Sequence, residues 1–123
     1  MPNHIHRPWG TYEILLDELQ YKLKRIIVNP NHRISYQSHE KRNEIWVVVS
    51  GKGVVTIDDR ESPVKYGSII SIPKETKHRI ENTNKHQCLI FIEVQTGKSF
   101  QEEDIIRYSD DYNRIEGEKI NEH

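Results

Sequence analysis

Apolar residues fall in short runs along this chain, at YKLKRIIV (21–28), EIWVVVS (44–50), VVTID (54–58), SIISI (68–72) and LIFIEV (89–94). Valine and isoleucine dominate these runs, and their side chains fit a pleated, half-buried surface. The segments between them carry turn chemistry: NPNH (29–32), SGKG (50–53), DDRE (58–61), KYG (65–67), PKET (73–76) and ENTNK (81–85). Short β-branched runs separated by Gly, Pro and Asn predict an all-β sandwich or barrel. A βαβ arrangement is excluded, because the intervals between the central runs hold no helix of crossover length.

The ends differ from the middle. EEDIIRYSDDY (102–112) places isoleucines and Tyr108 at near-helical spacing behind acidic residues suited to a helix start, so a short C-terminal helix is predicted there. The charged tail from Glu116 is expected to be frayed, leaving one domain with a core over about 7–114.

Composition narrows the classes of partner. The 123 residues suit a single domain, 30% are charged and only 34% hydrophobic, so the core must come from well-ordered strands. A net charge of −1 exerts no general pull on nucleic acid or acidic membranes, and neither is expected as a partner. No apolar run approaches the roughly 18–20 residues that span a bilayer, and MPNHIHRPWGTYE lacks the pattern of a secretory signal. A cytoplasmic location is the resulting expectation. The single cysteine, Cys88, opens the run CLIFIEV and is read as a small buried hydrophobe.

Candidate chemistry lies at two places. In SYQSHEKRNEIWVVVSGKG (35–53), Gln37 and His39 stand two residues apart, so on a strand both point to one face, with Glu44 just beyond. These side chains either grip something or decorate a solvent face. In GSIISIPKETKHRIEN (67–82) a strand ends at Pro73, and after a turn His78 opens the next strand. If the chain doubles back as a sandwich requires, His78 reaches the face that holds Gln37 and His39. Two imidazoles, a carboxylate and an amide oxygen suit Zn, Mn, Fe, Co or Ni and argue against copper-thiolate or iron–sulfur chemistry.

These spacings resemble the cupin superfamily, whose first motif runs G-x5-H-x-H-x3,4-E-x6-G and whose second runs G-x5-P-x-G-x2-H-x3-N. Asn31, Gln37, His39, Glu44 and Gly51 match the first, and Gly67, Pro73, Glu75, His78 and Asn82 match the second. Asn31, Gln37 and Glu75 stand where the pattern has Gly, His and Gly. Six segments in order are similar to the C-terminal cupin of type II phosphomannose isomerases: RPWGTYEIL, YKLKRIIVNP, ISYQSHEKRNEIWVVVSGKGVVT, IPKETKHRIEN, IEVQTGK and EDIIRYSDDYNR. Gln at position 37 is normal for that branch. Lys41 and Ile45 depart from it, since the family commonly has His at both places.

The resemblance implies a double-stranded β-helix and metal-dependent interconversion of mannose 6-phosphate and fructose 6-phosphate. It implies Gln37, His39, Glu44 and His78 as ligands of a metal that polarises the sugar's oxygens. Family members are usually fused to a guanylyltransferase; 123 residues leave no room for that domain. Nucleotidyl transfer is therefore not expected of this chain, and a separate guanylyltransferase is an expected partner, as is a second copy in a homodimer.

Moving a proton between C1 and C2 needs a base near the sugar. Glu93 is the only carboxylate of its apolar strand and is read as base, as orienter of a ligand histidine, or as an outward residue; Lys24 is a second base candidate. Arg42 falls on the family's H-R-x-E arginine and suits phosphate or enediolate oxygens, against the alternative of a structural ion pair. Arg79, Arg7 and Arg25 are weaker phosphate candidates, with alternation turning Arg79 away from the His78 face; Gln95 shares the Glu93 face as a substrate contact. Trp9, Trp46 and Phe91 are read as core or pocket wall. Two other functions fit the same residues: an isomerase or epimerase of another phosphorylated or nucleotide-linked sugar, or a non-catalytic sugar-binding module.

Overall fold

The computed structural model describes residues 3–114. Eleven strands follow one another: β1 (Asn3–Arg7), β2 (Gly10–Asp17), β3 (Tyr21–Val28), β4 (Tyr36–Ser38), β5 (Arg42–Ser50), β6 (Lys52–Ile57), β7 (Arg60–Lys65), β8 (Ile69–Ile72), β9 (His78–Glu81), β10 (Leu89–Gly97) and β11 (Ile106–Ser109). A six-stranded sheet runs β1-β2-β3-β10-β5-β8 and a five-stranded sheet runs β11-β4-β9-β6-β7. Every strand pairing is antiparallel. Trp46, Val48 and Phe91 of the first sheet and Val55, Val64 and Ile80 of the second belong to one buried cluster. Trp9 joins it, so the three aromatics serve as core.

Alternation along the central strands positions the site. On β3 the inward positions are Lys24, Ile26 and Val28, and on β10 they are Leu89, Phe91, Glu93 and Gln95. On β5 they are Arg42, Glu44, Trp46 and Val48. Register aligns Leu89 with Val28, and Phe91 with Ile26 and Val48, but Glu93 with Lys24 and Gln95 with Glu44. The shared inner face is therefore apolar at one end and charged at the other. Unpaired charges cannot stay buried, so the polar end must form a connected network or hold a ligand.

The predicted C-terminal helix is absent: residues 106–109 form β11, paired to the short strand β4. Asp104, expected to favour a helix start, instead accepts the backbone amides of Glu40 and Lys41 at 3.1 and 2.9 Å. With that anchor made, the edge of β4 offers a ladder that the β-branched Ile106 fits better than a helix. β7 was hidden by Pro63, which the outer position of that strand in its sheet accommodates. His4 and His6 lie in β1, and His4 Nε2 is 3.1 Å from Glu13 Oε2. Cys88 is only half-buried, one residue before β10. The tail from Glu116, with His123, lies outside the described residues.

The two non-glycine positions of the cupin motifs take the backbone shape glycine favours. Asn31 has φ 60° and Glu75 φ 69°. At Glu75 the strain serves the site, because its N–H donates to the His39 carbonyl at 2.6 Å and ties the β8–β9 turn to the loop before β5.

Candidate metal centre and catalytic cleft

Glu44, 2% exposed, is the hub of the polar end. Its Oε1 accepts the Trp46 indole N–H at 3.0 Å, and its Oε2 accepts Arg42 Nε at 2.9 Å. His39 Nδ1 lies 3.5 Å from Oε2 and His78 Nε2 lies 3.8 Å from Oε1. One donor atom from each of His39, Glu44 and His78 falls within 4.8 Å of the others, and all three residues are buried. The loop from β4 to β5, which passes from one sheet to the other, delivers His39, β5 delivers Glu44, and β9, beside β4, delivers His78.

Burial sets the protonation state of both histidines. His78 Nδ1 donates to the Thr76 carbonyl at 2.9 Å, which leaves the Nε2 lone pair free on the Glu44 side. Burial pushes the His78 pKa down to about 4. Burial, reinforced by the charge of Arg42, pushes His39 down to about 3. Both rings are unprotonated near neutral pH. Gln37 pairs directly with His78 across β4 and β9, so both side chains share a face. Its Nε2 donates to Ser35 Oγ at 2.9 Å and to the Ser35 carbonyl at 3.3 Å, and the residue lines the cleft beside the cluster.

Two neutral imidazoles, one carboxylate and an amide oxygen fit a borderline divalent ion. A positive charge is also what the set already attracts: Arg42 donates through Nε to Glu44 and lies 2.9 Å through Nη2 from His39 Nε2. Burial opposes the charge of Arg42, but Glu44 and Glu93 outweigh it and hold the pKa above the usual arginine value. In this structure Arg42 makes the ion pair weighed against a substrate role.

Beside the cluster, Glu93 and Lys24 face one cleft together with Arg42, Glu44 and Gln37. Burial, reinforced by the charge of Glu44, drives the Glu93 carboxyl up to about 8. Glu93 is thus inward-facing, which removes the outward alternative. Lys24 Nζ contacts Glu102 at 2.7 Å and sits 4.3 Å from the centre of the Tyr12 ring. Gln95 is fully buried, and neither of its amide atoms has a partner among the described residues.

Not every arginine candidate converges. Arg79 does not line the cleft: its Nε donates to the Ile34 carbonyl and its Nη2 to the Ser109 carbonyl, which makes it a structural tie. Arg25 is spent on Glu13 at 2.6 Å. Arg7 does line the cleft, as do Tyr12, Glu102, Arg107 and Arg114, of which only Arg7 was singled out from sequence. The histidines do not line its open part. Lys41 faces a separate cleft with Lys74 and Lys98, and Ile45 is on the outer face of the six-stranded sheet.

A family model described as mannose-6-phosphate isomerase C-terminal matches residues 1–110. The chain belongs to that family. This mannose-6-phosphate isomerase C-terminal domain is 39% identical over 111 residues to the mannose-1-phosphate guanylyltransferase of Escherichia coli, covering 90% of the chain and 23% of that protein. It is 40% identical over 114 residues to the alginate biosynthesis protein AlgA of Pseudomonas aeruginosa, covering 91% and 24%. The chain thus spans about a quarter of the length of these relatives. A cupin-2 domain protein from Rhodospirillum rubrum, Rru_A2000, superposes with a TM-score of 0.66 at 18% identity, over 76% of this chain and 67% of that one. The fold is accordingly the cupin double-stranded β-helix expected from the two motifs.

Proposed function

We propose that this domain is a metal-dependent aldose–ketose isomerase that interconverts mannose 6-phosphate and fructose 6-phosphate in the cytoplasm. The observation that carries this reading is the His39–Glu44–His78 cluster, whose Glu44 lines the same cleft as the buried carboxyl of Glu93. Gln37, His39, Glu44 and His78 would hold the ion, which supplies Lewis-acid polarisation of the sugar's carbonyl and hydroxyl oxygens.

Glu93 moves the proton. Its carboxylate takes the hydrogen from C2 of the open-chain aldose and returns it to C1, while the hydroxyl proton passes from O2 to O1, so no proton is gained or lost overall. A pKa raised to about 8 suits a group that must both take and release a proton near neutrality. Lys24, whose charge favours the ionised form of Glu93, helps return that carboxyl to its basic state. Arg42 keeps Glu44 in place and presents a charged fork to the cleft. The guanylyl-transfer step of the longer relatives would fall to a separate protein, and the domain would pair with a second copy through its outer sheet face.

The test is a metal analysis followed by a coupled assay for fructose 6-phosphate formed from mannose 6-phosphate. Turnover is expected with at least one of Zn, Mn, Co, Ni or Fe; none with any of them sinks the isomerase. Glu93→Gln should lower kcat about 10²–10⁴-fold while metal content stays unchanged.

A further inference from the structure

We propose that Arg107 on β11 is the seat for the phosphate group of the substrate. The inference rests on the reading of that substrate as a phosphorylated sugar, and it adds where the anion is held. Backbone register places Arg107 directly opposite Gln37, and Gln37 directly opposite His78. Residues directly opposite one another in a sheet project to the same face, so Arg107, Gln37 and His78 form a single row across β11, β4 and β9. Neighbouring strands lie about 4.8 Å apart, so the row spans about 10 Å between its outer backbones. One end of it is the metal cluster, where C1 and C2 of the sugar would be. The other end is a guanidinium, where C6 and its phosphate would reach.

Among the described residues, Arg107 is also the cation of the cleft with a buried guanidinium N–H left without an acceptor. Arg42 is held by Glu44 and His39, Lys24 by Glu102, and Arg114 by Asp110 at 2.7 Å. Arg7 reaches the His6 carbonyl and the Tyr12 hydroxyl. The Nε of Arg107, by contrast, is buried with no hydrogen-bond partner among the described residues. A buried guanidinium N–H without an acceptor costs more than almost any other unmet donor, and a phosphate oxygen supplies the acceptor. Arg7 and Arg114 add to the same local field: burial first, then the charge of Arg114, depresses the pKa of Arg107, and Arg7 works in the same direction. Asp110 and Glu102 act on Arg107 in the opposite sense, but Asp110 is tied to Arg114 and Glu102 to Lys24, so Arg107 and Arg7 have no carboxylate partner among the described residues and favour an anion there.

The experiment titrates the metal-loaded full chain with mannose 6-phosphate by calorimetry, and measures thermal melts with and without inorganic phosphate. Wild-type protein should be stabilised by phosphate and bind the sugar phosphate. Arg107→Gln should raise Kd at least tenfold and abolish the phosphate-induced shift. Arg107→Lys keeps the charge but loses the fork, and should raise Kd at least threefold, which keeps the test valid if the glutamine variant misfolds. Arg60→Gln, on the exposed strand β7, should behave as wild type. Equal phosphate stabilisation of wild type and Arg107→Gln, or none of wild type, overturns the proposal. Binding without isomerisation would support the phosphate seat and sink only the isomerase.

Discussion

Glu44 shows how much one buried side chain can organise. Trp46 and Arg42 hold its two oxygens, and two unprotonated histidines stand beside it. The protonation of this group makes a pH prediction for the metal-free protein. His39 and His78 have pKa values of about 3 and about 4, below the ordinary 6.5, so the unfolded chain binds their protons first. Their contribution is complete above pH 6.5 and is lost as pH falls toward 4. Glu93 acts oppositely: its pKa of about 8 lies above the ordinary 4.5, so its contribution declines as pH rises from 4.5 to 8. The opposing slopes cancel at about pH 6.5, where stability measured by urea unfolding in chelator should crest. Glu93→Gln should flatten the alkaline flank and steepen the acid flank between pH 4.5 and 6.5. A second residue-scale test concerns Glu75, whose φ of 69° favours glycine. Glu75→Gly should stabilise by about 1 kcal/mol, seen as a higher urea midpoint, because the backbone strain disappears while the bond from its N–H to His39 remains.

At the scale of elements, the decisive fact is that three central strands carry apolar inward residues at one end and charged ones at the other. Most of this was legible in the runs themselves: EIWVVVS puts Glu44, Trp46 and Val48 on one face, and LIFIEV puts Leu89, Phe91 and Glu93 on one face. The register between them was not legible, since the pairing of Gln95 with Glu44 is set by contacts far apart in sequence. Gly97 sets part of that register. With φ at 135°, a Cβ there would strike the Lys41 carbonyl and lie 2.8 Å from the Arg42 Cα. Gly97→Ala should therefore destabilise by about 1–3 kcal/mol and shift Arg42 away from Glu44. The measurements are a denaturant midpoint and the metal affinity, and wild-type values for both would contradict this close packing. β11 is the element that sequence periodicity misassigned. Its spacing suited a helix, but the open edge of β4 and the anchor at Asp104 selected a strand, and with it the direction of Arg107.

The whole molecule presents two unlike surfaces. The cleft between the sheets is polar and charged, whereas the outer face of the six-stranded sheet exposes Ile45 at 44%, Val49 at 50% and Ile69 at 71%. These residues lie on the adjacent strands β5 and β8, with Val47 paired to Ile69. A patch of this kind suits a second copy. Sedimentation at micromolar concentration should give a dimer for the wild type and a monomer for Val49→Lys with Ile69→Lys, each surface change altering monomer stability by less than about 0.5 kcal/mol. A wild-type monomer would refute the pairing. The sequence by itself determined the all-β class and the two motifs, and it singled out Gln37, His39, Glu44 and His78 as candidates, of which the structure gathers His39, Glu44 and His78. It could do so because strand alternation is local and the motif spacings can be read along the chain without knowing which strands pair. Only the tertiary structure decided that Glu93 faces the cluster, that Arg79 is a structural tie, and that Arg107 stands in line with Gln37 and His78. Those outcomes depend on which strands become neighbours and in what register, and that is settled by packing between residues distant along the chain.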